Sequence, residues 1–584
     1  MKSWQIRVDT GGTFTDCLAI DPQGRLHRAK VLSSSTLRGR ITDRPAPDTL
    51  RVDIPWTAPA GFLRGYELRI LGSAHAGIQV VDFDGDKRIT VDGSLPSQAV
   101  AGTDFEVAGG EEAPILAARL ITGTTLHDPL PNMELRLATT RGTNALLERK
   151  GAPTALFVTR GFGDLLRIGD QQRPDLFALH VRKVTPLTEE VVEVDERLDA
   201  EGLVVRTLSL EGLEEKSRRL QAKGVRAAAV TLMHSYRNPE HEERVAAFLR
   251  DMGFETVCAS ARLAPLIKIL PRAQTAVVEA CLGPIINGYL ERVGSCVTGT
   301  VHAMTSAGGL VERSRYLAKD SLLSGPAGGV AGAAAAARDS GEERIISFDM
   351  GGTSTDVARW GGDFEYQFEH TVGNARLVSP ALAIETVAAG GGSICRFSRG
   401  RLTVGPESAG ADPGPACYGA GGPLTVTDVN LLLGRLDPDR FGIPIAVAAA
   451  EVRLQELLAQ MEDEGDSATP VEVLAGLIRI ADERMAAAIR RVSVEKGYDP
   501  AAHALVAFGG AGAQHACGVA ACLGIERVLV PVDAGLLSAR GLGAAVVERF
   551  AQRQVLEPLT EVAPRLEGWL HQLGEAACRE VAAE

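Results

Sequence analysis

Short apolar runs that end at glycine-rich turns recur along the chain. Gln5–Val8 and Arg344–Phe348 read as strands. Each leads into a glycine turn, an apolar stretch, a second turn (Asp21-Pro-Gln-Gly24 or Gly361-Gly-Asp363) and a second extended stretch. Ala504–Ala507 is a third strand-like run, followed by a glycine turn and an apolar, helix-like stretch ending near Leu523. Between Leu37 and roughly Asp128 the pattern changes. There Leu50–Ile54, Tyr66–Ile70 and Arg88–Val91 alternate apolar and polar residues, and Asp84-Gly85-Asp86 supplies a hairpin turn. The most apolar run, Leu322–Ala337, is rich in Gly and Ala, broken by Pro326 and shorter than a bilayer requires, so it reads as an internal helix.

Two of these turns are near copies. Asp9-Thr-Gly-Gly-Thr-Phe-Thr-Asp16 and Asp349-Met-Gly-Gly-Thr-Ser-Thr-Asp356 agree at six of eight positions, 340 residues apart. Two strand-turn-strand units with one turn chemistry predict two similar lobes, each presenting its loop to a shared cleft. Paired glycines let the backbone approach a ligand and aim consecutive N–H groups at it, and the threonines add hydroxyl donors. Such a turn suits phosphate oxygens. The flanking carboxylates, Asp9 with Asp16 and Asp349 with Asp356, would repel bare phosphate, so they call for a cation such as Mg2+. The third glycine turn, Phe508-Gly-Gly-Ala-Gly-Ala513, does not have the dinucleotide-binding spacing, and no Gly-x-x-x-x-Gly-Lys-Ser/Thr occurs.

Composition narrows the class. At 584 residues the chain exceeds one hydrophobic core and implies three to four domains or lobes. Sixty-one basic against 74 acidic residues give a net charge of -13, which disfavours a nucleic-acid partner. Nine scattered cysteines with no Cys-x-x-Cys pair suit reduced thiols and a cytoplasmic setting. Arg7 and Asp9 interrupt the N-terminal apolar residues, so neither a secretory signal nor a membrane partner is expected.

Longer motifs carry a resemblance. They include Thr139-Thr-Arg-Gly-Thr-Asn-Ala-Leu-Leu-Glu-Arg-Lys-Gly151, Thr159-Arg-Gly-Phe-Gly-Asp-Leu-Leu-Arg-Ile-Gly169 and Arg173-Pro-Asp-Leu-Phe177. Met233-His-Ser-Tyr236, Leu323-Ser-Gly-Pro-Ala-Gly-Gly329, Ala388-Ala-Gly-Gly-Gly-Ser393 and Gly405-Pro-Glu-Ser-Ala-Gly-Ala-Asp-Pro-Gly-Pro-Ala-Cys-Tyr418 follow. With the paired turns, they make the chain resemble the ATP-binding, hydantoinase A-type half of the hydantoinase/oxoprolinase family, within the actin, sugar-kinase and heat-shock ATPase superfamily. The 139–151 motif looks closer to oxoprolinases than to hydantoinases or acetone-carboxylase subunits.

The resemblance implies an α/β fold of two similar lobes with mixed sheets of the ribonuclease H-like, actin-like ATPase type, plus a small β-rich insertion. The expected division is residues 1–36 and 129–225 as the N-terminal lobe, 37–128 as the insertion, 226–550 as the ATPase core and 551–584 as the start of a C-terminal segment. The implied activity is ATP-dependent, ring-opening hydrolysis of a cyclic amide, 5-oxo-L-proline to L-glutamate, with this chain phosphorylating the lactam carbonyl. An ATP-dependent hydantoinase, an acetone-carboxylase-like subunit and an actin-like nucleotide switch that binds a protein partner are the alternatives. A hydantoinase B-type subunit or domain and an oligomeric assembly are the expected partners.

By the same resemblance, Asp9 or Asp349 holds Mg2+ through water, and both act in catalysis. Gly11, Gly12, Thr13 and Thr15, with Gly351, Gly352, Thr353 and Thr355, surround the ATP phosphates, and Gly509, Gly510 and Gly512 lie against the adenosine. A carboxylate-bearing lactam needs a cation, for which Arg141, Arg173 and Arg272 are the candidates and Arg141 the first choice. Glu407, Asp412, Cys417 and Tyr418 read as a rigid structural loop; Asp428 and Asn430 serve equally as caps of the following helix; His234, His302 and His515 stay undecided.

Overall fold

Period-two alternation builds the first sheet. Trp4–Thr10 (β1) and Phe14–Ile20 (β2) pair antiparallel across the first glycine turn, and Leu26–Leu32 (β3) adds to β2. Ile6 and Val8 of β1 are fully buried while Gln5 is exposed, as a sheet with one face on a core requires. The computed structural model describes residues 3–584 except Ala74, Gln172, Pro174, Asp175, Val181, Arg182 and Gly442. Pro174 and Asp175 of the Arg173–Phe177 motif therefore lie outside the described residues. The chain divides into two units, Met1–Gly325 with Gln367–Ala381 and Ala545–Glu584, and Pro326–Tyr366 with Leu382–Ala544.

In the first unit the chain leaves β3 into a closed six-stranded barrel: Thr36–Ala46 (β4), Thr49–Asp53 (β5), Glu67–Ile70 (β6), Ile78–Phe83 (β7), Arg88–Val91 (β8) and Asp104–Ala108 (β9). This is the expected β-rich insertion. Its predicted hairpin turn joins β7 to β8, where the Asp84 carboxylate accepts the amides of Asp86 and Arg88, each at 2.9 Å. Closure leaves no free strand edge. Ala113–Thr122 (α1) returns the chain to the sheet, where Met133–Thr139 (β10) pairs parallel with β1 and is followed by Arg141–Leu147 (α2).

A second sheet in this unit follows from near-continuous apolar runs. Thr154–Thr159 (β11), Glu190–Leu198 (β12), Val204–Ser209 (β13), Ala227–Thr231 (β14) and Thr256–Ala259 (β15) form it in the order β13-β12-β11-β14-β15. β11 and β14 are buried throughout, as parallel strands covered on both faces must be. Ile269–Ser295 (α3) is apolar enough and long enough to cross a membrane, but 72% of that window is buried. It is a core helix: Ile286 and Tyr289 join the core under the first sheet, Ala276 and Ala280 that of the second. Gly299–Met304 (β16) and Leu310–Glu312 (β17) complete the first sheet, whose order is β17-β16-β10-β1-β2-β3.

The predicted internal helix spans Ser324–Asp339 (α4), and the division between units falls after its second residue. In the second unit Ile345–Met350 (β18) and Thr355–Trp360 (β19) form the second glycine hairpin. The extended stretch after Gly361 does not supply the next strand of the sheet. Residues 367–381 belong to the first unit, and Ile384–Val387 (β20) pairs with β19 instead. Val426–Leu432 (α5) and Pro470–Val492 (α6) follow, then Ala504–Phe508 (β21), Gly512–Leu523 (α7) and Val528–Leu529 (β22).

Five of the six strands of the first sheet match the five-stranded sheet of the second unit. β3-β2-β1-β10-β16 and β20-β19-β18-β21-β22 share the same order, with two antiparallel pairings followed by two parallel ones. In each, a helix lying in sequence between the outer antiparallel strand and the first parallel one packs on the antiparallel strands, α1 in the first and α6 in the second. These are the two similar lobes with mixed sheets.

Candidate functional site: two equivalent glycine turns

The duplicated sequence folds into duplicated geometry. Asp9 pairs with Asp16 and Asp349 with Asp356 in the same hairpin register. The Gly11 amide donates to the Phe14 carbonyl, and the Gly351 amide to the Ser354 carbonyl, both at 3.0 Å. Gly12, Thr13, Gly352 and Thr353 are exposed, whereas Thr15 and Thr355 are fully buried.

Each turn has its carbonyls turned toward the protein. In the first, the Ser33 hydroxyl donates to the Gly11 carbonyl at 2.8 Å and the Ser33 amide to that of Thr13 at 2.9 Å. In the second, the amides of Gly391 and Gly392 donate to the carbonyls of Gly351 and Gly352 at 3.1 and 2.6 Å. Among the described residues, none accepts a hydrogen bond from the amides of Gly12, Thr13, Gly352 or Thr353. Amides without acceptors in exposed turn residues, beside inward-turned carbonyls, can form a cradle for an anion. The buried threonines brace it, Thr15 with its hydroxyl 3.0 Å from that of Ser33 and Thr355 donating to the Ala389 carbonyl at 2.6 Å.

The Ala388–Ser393 motif has a steric reason. A Cβ on Gly390 would stand 2.7 Å from the Thr353 nitrogen, and one on Gly392 3.0 Å from the Gly352 carbonyl oxygen. Only a glycine backbone comes this close to the second turn.

The aspartates lie where each sheet's first strand meets its glycines. A Cβ on Gly325 would be 3.4 Å from the Asp9 carboxylate. Asp349 is hemmed more tightly, since a Cβ on Gly509 would stand 2.3 Å from its Oδ1 and one on Gly329 3.4 Å from its Oδ2. Burial raises the pKa of Asp16 and of Asp356, opposed by Lys30 at 2.6 Å and by the Thr386 hydroxyl at 2.6 Å respectively.

The equivalence extends to the neighbouring strands. The Thr140 amide after β10 donates to the Thr10 carbonyl, and the Ala511 amide after β21 to the Met350 carbonyl, both at 2.9 Å. Gly509 and Gly512 are thus fixed by the protein's own packing: Gly509 has φ +80 and faces Asp349, and Gly512 is buried under the Phe348 carbonyl. Gly510 is exposed, with nothing within 4 Å of its Cβ position.

The three candidate arginines separate. Arg141 forks onto Glu112 at 3.1 and 2.8 Å and lies 4.4 Å over the Tyr289 ring, whose hydroxyl is 3.5 Å from that of Thr10. Burial pushes the Tyr289 pKa up to about 12. Arg272 is 1% exposed and donates to Ser235, Ser260 and the Leu232 carbonyl, tying α3 to the second sheet. Arg173 is exposed. Glu407 pairs with Arg396 at 2.8 Å, and Asp428 accepts the amides of Ala416 and Cys417 and forms a capping box with Thr425, so that loop is structural. Asn430 instead meets His515 at 2.9 Å, and the other ring nitrogen of His515 meets Asp482 at 2.6 Å, all three buried. Spacing alone does not reveal this chain of contacts, because its members come from three helices, nor does it reveal Ser33 or Glu112. Among the described residues, no cluster of three or more His, Cys, Asp or Glu could hold a metal by itself.

Comparisons with known proteins agree with this geometry. The hydantoinase/oxoprolinase model matches residues 272–550, and the model of the family's N-terminal region matches 112–253. 5-oxoprolinase 1 of Arabidopsis thaliana is 43% identical over 458 residues, covering 72% of this chain and 36% of its own length. An uncharacterized protein of Methanocaldococcus jannaschii is 33% identical over 476 residues, covering 76% of this chain and 69% of its own. The crystal structure of an ATP-dependent caprolactamase from Pseudomonas jessenii superposes with a TM-score of 0.70 at 26% identity, over 99% of this chain and 76% of that one. This chain spans little more than a third of the length of the Arabidopsis relative. On its two family matches, its relatives and its paired glycine hairpins, the chain belongs to the hydantoinase/oxoprolinase family.

Proposed function

We propose that this chain uses ATP to activate a cyclic amide for ring-opening hydrolysis, most specifically 5-oxo-L-proline to L-glutamate. The observation that carries the reading is the pair of turns with one register, each offering amides that no described residue occupies. In this reading Gly11, Gly12 and Thr13, with Gly351, Gly352 and Thr353, hold phosphate oxygens. Gly510, which has open space around it, is free to approach the rest of the nucleotide, whereas Gly509 and Gly512 shape the turn that carries it.

A lactam carbonyl is an unreactive electrophile. Its oxygen attacks the γ-phosphorus, the bond to the ADP oxygen breaks, and ADP leaves. Water then adds to the activated ring carbon, the C–N bond opens with a proton going to nitrogen to leave an acyl phosphate, and a second water hydrolyses that linkage to the carboxylate and inorganic phosphate. Transfer of this kind needs positioning and charge neutralisation above all.

Asp9 and Asp349 are suited to Mg2+ in the way ATP sites hold it, with one or two carboxylates and the rest of the shell from phosphates and water. The absence of a self-sufficient carboxylate cluster among the described residues fits that division. Bound there, the ion neutralises developing phosphate charge. Arg141, held by Glu112, fixes the Thr10 end of the first turn through Tyr289.

The relatives' greater length supports a further proposal, that a hydantoinase B-type subunit or domain completes hydrolysis. The test is ATP turnover with 5-oxo-L-proline and with hydantoin, in the presence of that second component. Stimulation by 5-oxo-L-proline is expected. Stimulation by hydantoin alone moves the substrate assignment, and indifference to both overturns it.

A further inference from the structure

Within the first unit lies a cavity of about 250 Å3 that none of the predicted site residues lines. Its walls come from the end of α2 (Leu146, Leu147), the 166–171 and 183–187 segments and one face of α3, where Gln274, Val277 and Val278 fall at positions i, i+3 and i+4. The volume is below the roughly 300–1,000 Å3 of pockets for drug-sized ligands. It suits a small metabolite.

Three polar features distinguish it. Gln274 lines the cavity, and its carboxamide oxygen is buried and, among the described residues, has no hydrogen-bond partner. An unmade bond of this sort is costly and marks a place for a donor from outside. Two cations stand at the rim, Arg149 donating to the Thr185 carbonyl and Lys183 donating to the Ile168 carbonyl at 3.0 Å. Among the described residues neither has a carboxylate partner, while the rim carboxylate of Asp170 is taken by Arg376 at 3.3 Å.

Location adds the fourth. The Asn144 side chain lies 3.7 Å from the Cβ position of Gly12 in the first glycine turn. Leu147, at the cavity, is three residues further along α2, less than one helical turn away.

We propose that this cavity, rather than Arg141 or Arg272, seats the cyclic amide of the function proposed above, on which this inference rests. The lactam N–H donates to the Gln274 carboxamide oxygen, the ring methylenes lie on Leu146, Leu187, Val277 and Val278, and a ring carboxylate meets Arg149 and Lys183. The ligand class is a five-membered lactam bearing one carboxylate.

The test is calorimetric titration of the whole protein, loaded with Mg2+ and a non-hydrolysable ATP analogue. The probes are 5-oxo-L-proline and 2-pyrrolidinone, which lacks the carboxylate. Lys183→Met is expected to weaken 5-oxo-L-proline at least tenfold and leave 2-pyrrolidinone unchanged, and Gln274→Met to weaken both. Affinity for the ATP analogue should stay at the wild-type value in each. Wild-type 5-oxo-L-proline affinity in both variants overturns the cavity assignment and leaves the lactam activity standing. A wild-type protein that takes up the nucleotide analogue but neither lactam overturns the lactam reading and this seat with it.

Discussion

Asp9 and Asp349 occupy one position in two sheets, each where the first strand runs into its glycines, yet their surroundings differ. Gly509 and Gly329 hem Asp349, whereas Gly325 approaches Asp9. Asp9→Asn and Asp349→Asn keep the shape and remove the charge. Each is expected to lower ATP turnover by about a hundredfold or more, the scale of losing one preorganised charge contact, with the circular dichroism spectrum retained. The partner aspartates yield a different prediction. Burial raises the pKa of Asp356 above its usual 3.8. A carboxyl with a raised folded pKa holds its proton more tightly when folded, so stability falls as pH rises through that folded value. Asp356→Asn should therefore melt with wild type below about pH 3.8, and at a higher temperature than wild type above it, the gap widening until pH passes the folded value and then holding constant, read by thermal denaturation across pH. At this scale the glycine and threonine turns were legible because the same pattern occurs twice, 340 residues apart. The fate of Arg141 was not, since its fork is filled by Glu112, which no local pattern links to it.

Elements were legible where the pattern is local. The two hairpins combine period-two alternation with a glycine turn, and the barrel strands β5, β6 and β8 fall within a residue of the expected runs. Pairings between distant stretches were not legible: Ala504–Ala507 reads as a strand, but its parallel place beside β18, that of β10 beside β1, and the use of β20 in place of the stretch after Gly361 are chosen by the sheet rather than by neighbours in sequence. The second sheet of the first unit went unseen because runs such as Ala227–Thr231 carry no periodicity to separate strand from buried helix. The Ala388–Ser393 loop makes a testable element. Gly390→Ala places a methyl 2.7 Å from the Thr353 nitrogen, at a cost of about 1–3 kcal/mol of overpacking. A lower melting temperature together with weaker ATP binding is expected, whereas Gly510→Ala, with open space around it, should melt as wild type.

For the whole molecule, a ligand that binds only the folded chain raises its stability by mass action, about 2.7 kcal/mol at a hundredfold excess over Kd. Mg·ATP is expected to raise the melting temperature of the wild type, and the two Asp→Asn variants should show a smaller shift at equal nucleotide concentration. The repeat made the doubled architecture readable, and the equivalence runs further than the eight-residue motif, to strand order, register and the amide contacts of Thr140 and Ala511. Among the described residues the barrel has no counterpart in the second unit, and its ends explain how one sheet can carry it. Thr36 at its start and Ala108 near its finish are direct partners in the β4–β9 ladder, a separation of about 5 Å. A linker of a few residues would reconnect the flanking chain, so the barrel is a cassette that can be gained, lost or exchanged without redrawing the path of the sheet that bears the first glycine turn.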